Sequence, residues 1–179
     1  MIDQLLYHIG STGPIILFAL SLFLLSSSST FLVFYVVGSF ANVLFNYVLK
    51  GIIREPRPNS NMLHIKKLYK KITDFNVYGM PSGHAQSVWF STCFVFLVTR
   101  RIELFVCYAI ISLITMWQRV KYRFHTLLQV IVGGVLGVCT AYVFFKYTVG
   151  LVKETTTGKR DDNYFGENLS TQYLNFSFW

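Results

Sequence analysis

The chain has 179 residues, of which 53% are hydrophobic and only 13% charged, and a mean hydropathy of +0.47. That balance excludes an ordinary soluble domain and fits one polytopic membrane domain. The net charge of +8 argues for anionic lipid or a phosphorylated ligand and against nucleic acid, because the basic residues fall between apolar stretches and not on one soluble face.

Residues 1–13 carry neither a basic n-region nor a small-residue cleavage site, so no removable signal peptide is expected. The first span is expected over about residues 5–28, kinked at Pro14. A polar turn, Ser26 to Thr30, leads to a second span from Phe31 to Ile53. Asn42 and Asn46 lie one helical turn apart within it and should face the bundle interior. Glu55-Pro56 ends this helix, since the residue before proline avoids the α region. The loop over residues 54–80 contains Leu63 to Ile72, where Ile65, Leu68, Tyr69 and Ile72 oppose Lys66, Lys67, Lys70 and Lys71. This spacing predicts a short interfacial amphipathic helix on the bilayer surface. A third span runs from Ala85 to Thr99 and is closed by Arg100-Arg101. The fourth leads from Glu103 to Met116 and ends at Trp117-Gln118-Arg119. The fifth follows His125 and reaches about Thr148, with Gly133, Gly134 and Gly137 as a face for close helix packing. Cys93, Cys107 and Cys139 lie inside spans without metal-ligand or disulfide spacing and read as packing residues. The predicted fold class is all-α: a transmembrane bundle of about five spans over residues 1–152, then a polar, flexible tail over 153–179.

Pro81-Ser82-Gly83-His84 stands at the start of the third span. Proline stops a preceding helix, and serine can cap the next one. Free N–H groups and the positive end of the helix dipole favour a phosphate there, and glycine lets it approach the backbone. The bland alternative is a capped helix with a histidine at the membrane surface. Counting spans weighs against it. Five spans bring Lys50, Arg57, His84, Arg119 and His125 to one membrane face. Three cations can hold the non-bridging oxygens of a phosphate. One neutral histidine can attack phosphorus while the other protonates the leaving oxygen. No carboxylate cluster is placed to hold Mg²⁺, so neither metal nor cofactor is expected.

Lys50-x6-Arg57-Pro58, Pro81-Ser82-Gly83-His84 and Arg119-x5-His125 resemble the three motifs of the type-2 phosphatidic acid phosphatase superfamily, over about residues 42 to 140. The resemblance implies a metal-independent membrane phosphatase working through a phosphohistidine. It makes His125 the nucleophile and His84 first the acid for the leaving group, then the base for water. Lys50, Arg57, Ser82, Gly83 and Arg119 would hold the phosphate. Two positions depart from the pattern: Gln118 stands where serine usually precedes the arginine, and Gln129 where an aspartate usually orients the nucleophile. Gln129, one turn beyond His125, can still accept the Nδ1–H, but it cannot stabilise an imidazolium as a carboxylate does.

Arg54-Glu55-Pro56-Arg57-Pro58, Tyr78-Gly79-Met80-Pro81, His84-Ala85-Gln86 and His125-Thr126-x2-Gln129-Val130 resemble the dolichyl diphosphatase branch, which has glutamine at the aspartate position and usually serine where Gly83 stands. The implied substrate is a polyprenyl (dolichyl) diphosphate in the lipid bilayer, whose phosphate leaving group asks less of the nucleophile's partner. The alternatives are a broad lipid phosphate phosphatase acting on phosphatidic acid and an inactive protein that binds phosphorylated lipid. The same resemblance implies an endoplasmic reticulum membrane with the site facing the lumen and the tail in the cytosol. Asn168-Leu169-Ser170 and Asn175-Phe176-Ser177 would then stay unglycosylated.

Overall fold

The computed structural model describes residues 2–58 and 78–158. They form five helices: α1 (Ile2–Leu25), α2 (Ser29–Ile53), α3 (Gly83–Thr99), α4 (Ile102–Lys121) and α5 (Leu127–Gly158). Among the described residues the single β-bridge, Pro56 to Tyr78, forms no strand. The bundle is all-α, as the apolar runs require. The amphipathic helix expected over Leu63 to Ile72 lies outside the described residues, as do residues 159–179 of the expected tail. α5 continues to Gly158, so the boundary expected after residue 152 falls inside a helix.

α1, α2, α4 and the stretch Leu127–Val152 of α5 are long and apolar enough to cross a membrane. α3 has only 17 residues. It is the central helix and packs against all four others. The bundle is inside-out in polarity. Ile15, Phe23, Phe40 and Ile52 are each at least 70% exposed, while Asn42, Gln86 and Gln129 are at most 1% exposed. Hydrocarbon cannot satisfy polar side chains, so these amides turn inward, where Gln86 bonds Asn42 and Gln129 bonds Glu55 and the Pro56 carbonyl. Tyr35 meets Ser91 at 2.7 Å, Thr92 meets Ser112 at 2.9 Å and Ser21 meets Tyr108 at 3.2 Å, linking α1, α2, α3 and α4.

The glycines expected to line a packing face do so. A Cβ on Gly133 would run into the Ser82 carbonyl, and one on Gly137 into the Gln86 carbonyl, so α3 and α5 meet backbone to backbone. At the far end of this pair Leu25, Phe31, Tyr35, Phe90, Phe94, Ala141 and Phe145 form an apolar cluster. By contrast α1 and α2, though consecutive, touch little. α2 ends where expected. Arg54 takes the left-handed conformation (φ 53°), its N–H donates to the Lys50 carbonyl at 3.1 Å, and Pro56 follows.

Candidate active site

The C-terminal ends of α2 and α4 and the N-terminal ends of α3 and α5 meet at one end of the bundle. A cavity of about 350 Å³ opens there. Lys50, Arg57, Gly83, His84, Arg119 and His125 line it, with Asn42 and Asn46 of α2 and Ser11 and Pro14 of α1. Lys121 Nζ bonds Asp3 Oδ1 at 2.7 Å, which holds the start of α1 at the same end. Span counting thus arranged the bundle correctly. Ser82 and Gln129 do not line the cavity; both are fully buried behind it.

His125 is 3% exposed. Its Nδ1 lies 2.9 Å from the Gly79 carbonyl and 3.2 Å from Gln129 Oε1. Both neighbours are acceptors, so Nδ1 carries the proton and Nε2 keeps its lone pair. Burial, then the charge of Arg57, pushes the His125 pKa down to about 3, against an opposing pull from the Gln129 hydrogen bond. The ring is therefore neutral at physiological pH, the state a nucleophile needs.

Gln129 reaches the imidazole as its spacing predicts, and it does more. Thr126 precedes α5, and its Oγ1 accepts the Gln129 N–H at 3.2 Å while Gln129 Oε1 accepts the Thr126 N–H at 3.2 Å. That reciprocal pair is a capping box. The T-x-x-Q signature of residues 126–129 is visible in the sequence and would have predicted this cap. On its other side Gln129 Nε2 donates to Glu55 Oε1 at 2.7 Å and to the Pro56 carbonyl at 3.0 Å. Neither the Glu55 contact nor the Gly79 carbonyl follows from sequence spacing, because both come from a loop far away in the chain.

One expectation needs correction. The Ser82 N–H does not face a phosphate: it donates to the Gln129 carbonyl at 3.0 Å, fastening α3 to α5. What Ser82 has available is its hydroxyl, which is buried and makes no hydrogen bond with the described residues. It does not cap α3 with its side chain either. Gly83, in the first turn, does line the cavity, and a Cβ there would sit 3.2 Å from Asn46 Oδ1.

The cations are placed for an anion. The Nε groups of Arg57 and Arg119 are buried and hydrogen-bond to none of the described residues. Burial lowers the Arg57 pKa, yet a guanidinium stays charged. The Arg119 guanidinium lies 5.1 Å from the centre of the Phe124 ring, which fixes its approach. His84 lines the cavity together with Ser11 and Pro14, so α1 contributes to a site that the motifs assign to later helices. Asn46 Nδ2 donates to the Pro81 carbonyl at 3.2 Å and to Gln86 Oε1 at 2.7 Å, and Gln86 Nε2 donates to Asn42 Oδ1 at 2.8 Å. This amide chain joins α2 to α3 beneath the cavity.

The sequence profile of the PAP2 superfamily matches residues 31–153, more than half of the chain. Dolichyldiphosphatase of Saccharomyces cerevisiae is 30% identical over 132 residues, 65% of this chain and 51% of the yeast protein. The chloroplastic lipid phosphate phosphatase epsilon 2 of Arabidopsis thaliana is 32% identical over 130 residues, 68% of this chain and 41% of the plant protein. Human dolichyldiphosphatase 1 is 29% identical over 119 residues, 58% and 47% of the two chains. The chain thus spans about half the length of the curated relatives it matches. No solved structure matches it. The matched region holds every candidate site residue, all of α3 and α4 and most of α2 and α5, and the chain belongs to the PAP2 superfamily.

Proposed function

We propose that this chain is a membrane lipid phosphatase that hydrolyses a polyprenyl (dolichyl) diphosphate to the monophosphate and phosphate through a phosphohistidine on His125. The observation that carries this reading is the buried, neutral imidazole with its proton fixed on Nδ1, facing a cavity lined by Lys50, Arg57 and Arg119. The Nε2 lone pair attacks the terminal phosphorus. The bridging P–O bond breaks, its electron pair leaves with the lipid monophosphate, and His84 supplies the proton that oxygen takes up. Water then attacks the phosphohistidine and gives a proton to His84. The P–N bond breaks and its electron pair returns to Nε2. The three cations and the backbone at Gly83 bind the non-bridging oxygens, where charge accumulates. These groups supply the positive charge without a metal.

The test is phosphate release from the purified protein in detergent with EDTA present, comparing a short polyprenyl diphosphate with phosphatidic acid. Faster release from the diphosphate is expected; no release from either substrate overturns the reading. The relationship to a lipid phosphate phosphatase of Arabidopsis thaliana supports a second reading, a broader phosphatase, which preferential release from phosphatidic acid would establish. We place the protein in an endoplasmic reticulum-type membrane with the site facing the lumen. The site and the start of α1 share one end of the bundle and α5 ends at the other, so glycosylation at Asn168 or Asn175 would reverse that orientation.

A further inference from the structure

Glu55 lies in the loop that ends α2, two residues before Arg57, and the chemistry above gives it no task. It is half-buried, and its carboxylate accepts a hydrogen bond from Gln129 Nε2 at 2.7 Å, beside the Pro56 carbonyl at 3.0 Å. A primary amide is nearly symmetric in shape, so its partners decide which way it points. Turned over, the Gln129 nitrogen would face the Thr126 N–H and the Nδ1–H of His125, donor against donor. Its oxygen would face a carboxylate and a carbonyl, acceptor against acceptor. Of these four partners only Glu55 is charged, and a charge-assisted bond is roughly twice as strong as a neutral one.

We propose that Glu55 is a positioning residue: it holds the Gln129 amide with Oε1 turned to His125, and through that amide keeps the imidazole proton on Nδ1 and the lone pair on Nε2. This rests on the reading of His125 as nucleophile. The same loop has a second hold on the ring. The Gly79 N–H donates to the Glu55 carbonyl at 2.7 Å, next to the bridge between Pro56 and Tyr78, and the Gly79 carbonyl is the nearer acceptor of the Nδ1–H. A Cβ at residue 79 would collide with the Gln129 amide, so only glycine lets the loop come this close. Glu55 and Gln129 together divide the work that one aspartate does at the Gln129 position: the charge stands one residue further out, and an amide carries its orientation inward.

A charge swap tests this. Glu55→Ala should lower kcat by roughly 10–100-fold, the usual cost of losing the outer partner of an oriented imidazole, with KM little changed. Gln129→Asp alone places a second carboxylate against Glu55 and should also lower kcat, since two adjacent carboxylates cannot both stay ionised. Combining Glu55→Gln with Gln129→Asp should recover most of it, because the new amide donates to the new carboxylate, which accepts the Nδ1–H directly. A purely structural role for Glu55 gives no such rescue. Wild-type kcat in Glu55→Ala, or a double variant no better than Gln129→Asp, overturns the proposal; should Glu55→Ala fail to fold, the swap decides alone. If the wild-type protein releases no phosphate, the phosphatase reading has failed and a second measurement judges Glu55. That measurement is the rate at which diethylpyrocarbonate acylates His125, resolved by mass spectrometry. It should fall several-fold in Glu55→Ala while acylation of His84 is unchanged; equal rates at His125 overturn the proposal.

Discussion

The pair α3–α5 and the pair α1–α2 are built in opposite ways. α3 and α5 meet through Gly133 and Gly137 with no room for a methyl group, and the Ser82–Gln129 backbone bond fastens their starts. α1 and α2 barely touch, and the cavity runs between them, past Pro14 and Ile15 on one side and Val43 and Tyr47 on the other. Ile15 is 71% exposed and Val43 43%, so this wall of the cavity is continuous with the lipid-facing surface. Groups that must keep their geometry to a fraction of an ångström sit on the seam. On the proposed function a long lipid needs an opening at membrane depth, and the loose pair is the place for one.

The comparison breaks most completely at Gly137. Leucine there must displace the Gln86 carbonyl of a buried helix, and neither folded protein nor activity should be recovered, as read by size-exclusion profile and phosphate release. Gly150→Leu, in the same helix but with nothing within 4 Å of the new Cβ, should behave as wild type. His125→Ala should leave the seam intact and the size-exclusion profile unchanged, yet lower kcat by roughly 10³-fold or more, as the proposed phosphoryl intermediate on this ring requires. His84→Ala should cost monoester substrates more than diphosphates, because its proposed role is to assist the leaving group; equal losses would refute that role.

Arg119→Lys keeps the charge but loses the planar fork and its stacking on Phe124. A loss of about 10–100-fold in kcat/KM is expected, at or below what removing a whole transition-state donor costs. The opening between α1 and α2 is tested by Val43→Trp. It should raise KM for a long polyprenyl diphosphate several-fold and leave a soluble phosphate ester unaffected, and equal effects on both would place lipid access elsewhere. The smallest effect concerns acid. Between pH 6.5 and about 3 the unfolded chain protonates His125 and the native chain does not. The native state therefore loses stability as pH falls through that window, by at most about 1.4 kcal/mol per pH unit from this group. Replacing His125 by glutamine should flatten the fall in Tm between pH 7 and pH 5.

The helices and most of the cavity-lining residues were legible because both follow from local rules. Apolar runs of membrane length mark α1, α2, α4 and α5, and Gly133 and Gly137 marked the face of α5 that meets α3. The parity of those runs was enough to bring Lys50 and His125 together. What stayed hidden depends on distant backbone. The Ser82 N–H looked available because a helix start leaves it unpaired, yet the Gln129 carbonyl reaches it across 47 positions. Gly13-Pro14 suggested only a kink, whereas this part of α1 forms a wall of the site. Glu55 seemed to do no more than end a helix, because its partner lies 74 residues on. Thr126-x-x-Gln129 is the exception: the capping signal was present but hidden behind the more conspicuous histidine.

The brevity of α3 bears on how deep the cavity lies. Seventeen residues rise about 25 Å, whereas a typical hydrocarbon core is about 30 Å. Arg100 and Arg101 follow its far end and favour the opposite water interface, which draws Gly83 and the cations beside it below the nearer surface. On the proposed function, a diphosphate anchored by a polyprenyl tail then needs little lift out of the bilayer. The length of the one helix that touches all the others thus sets the depth of the cavity, whichever helices face the lipid.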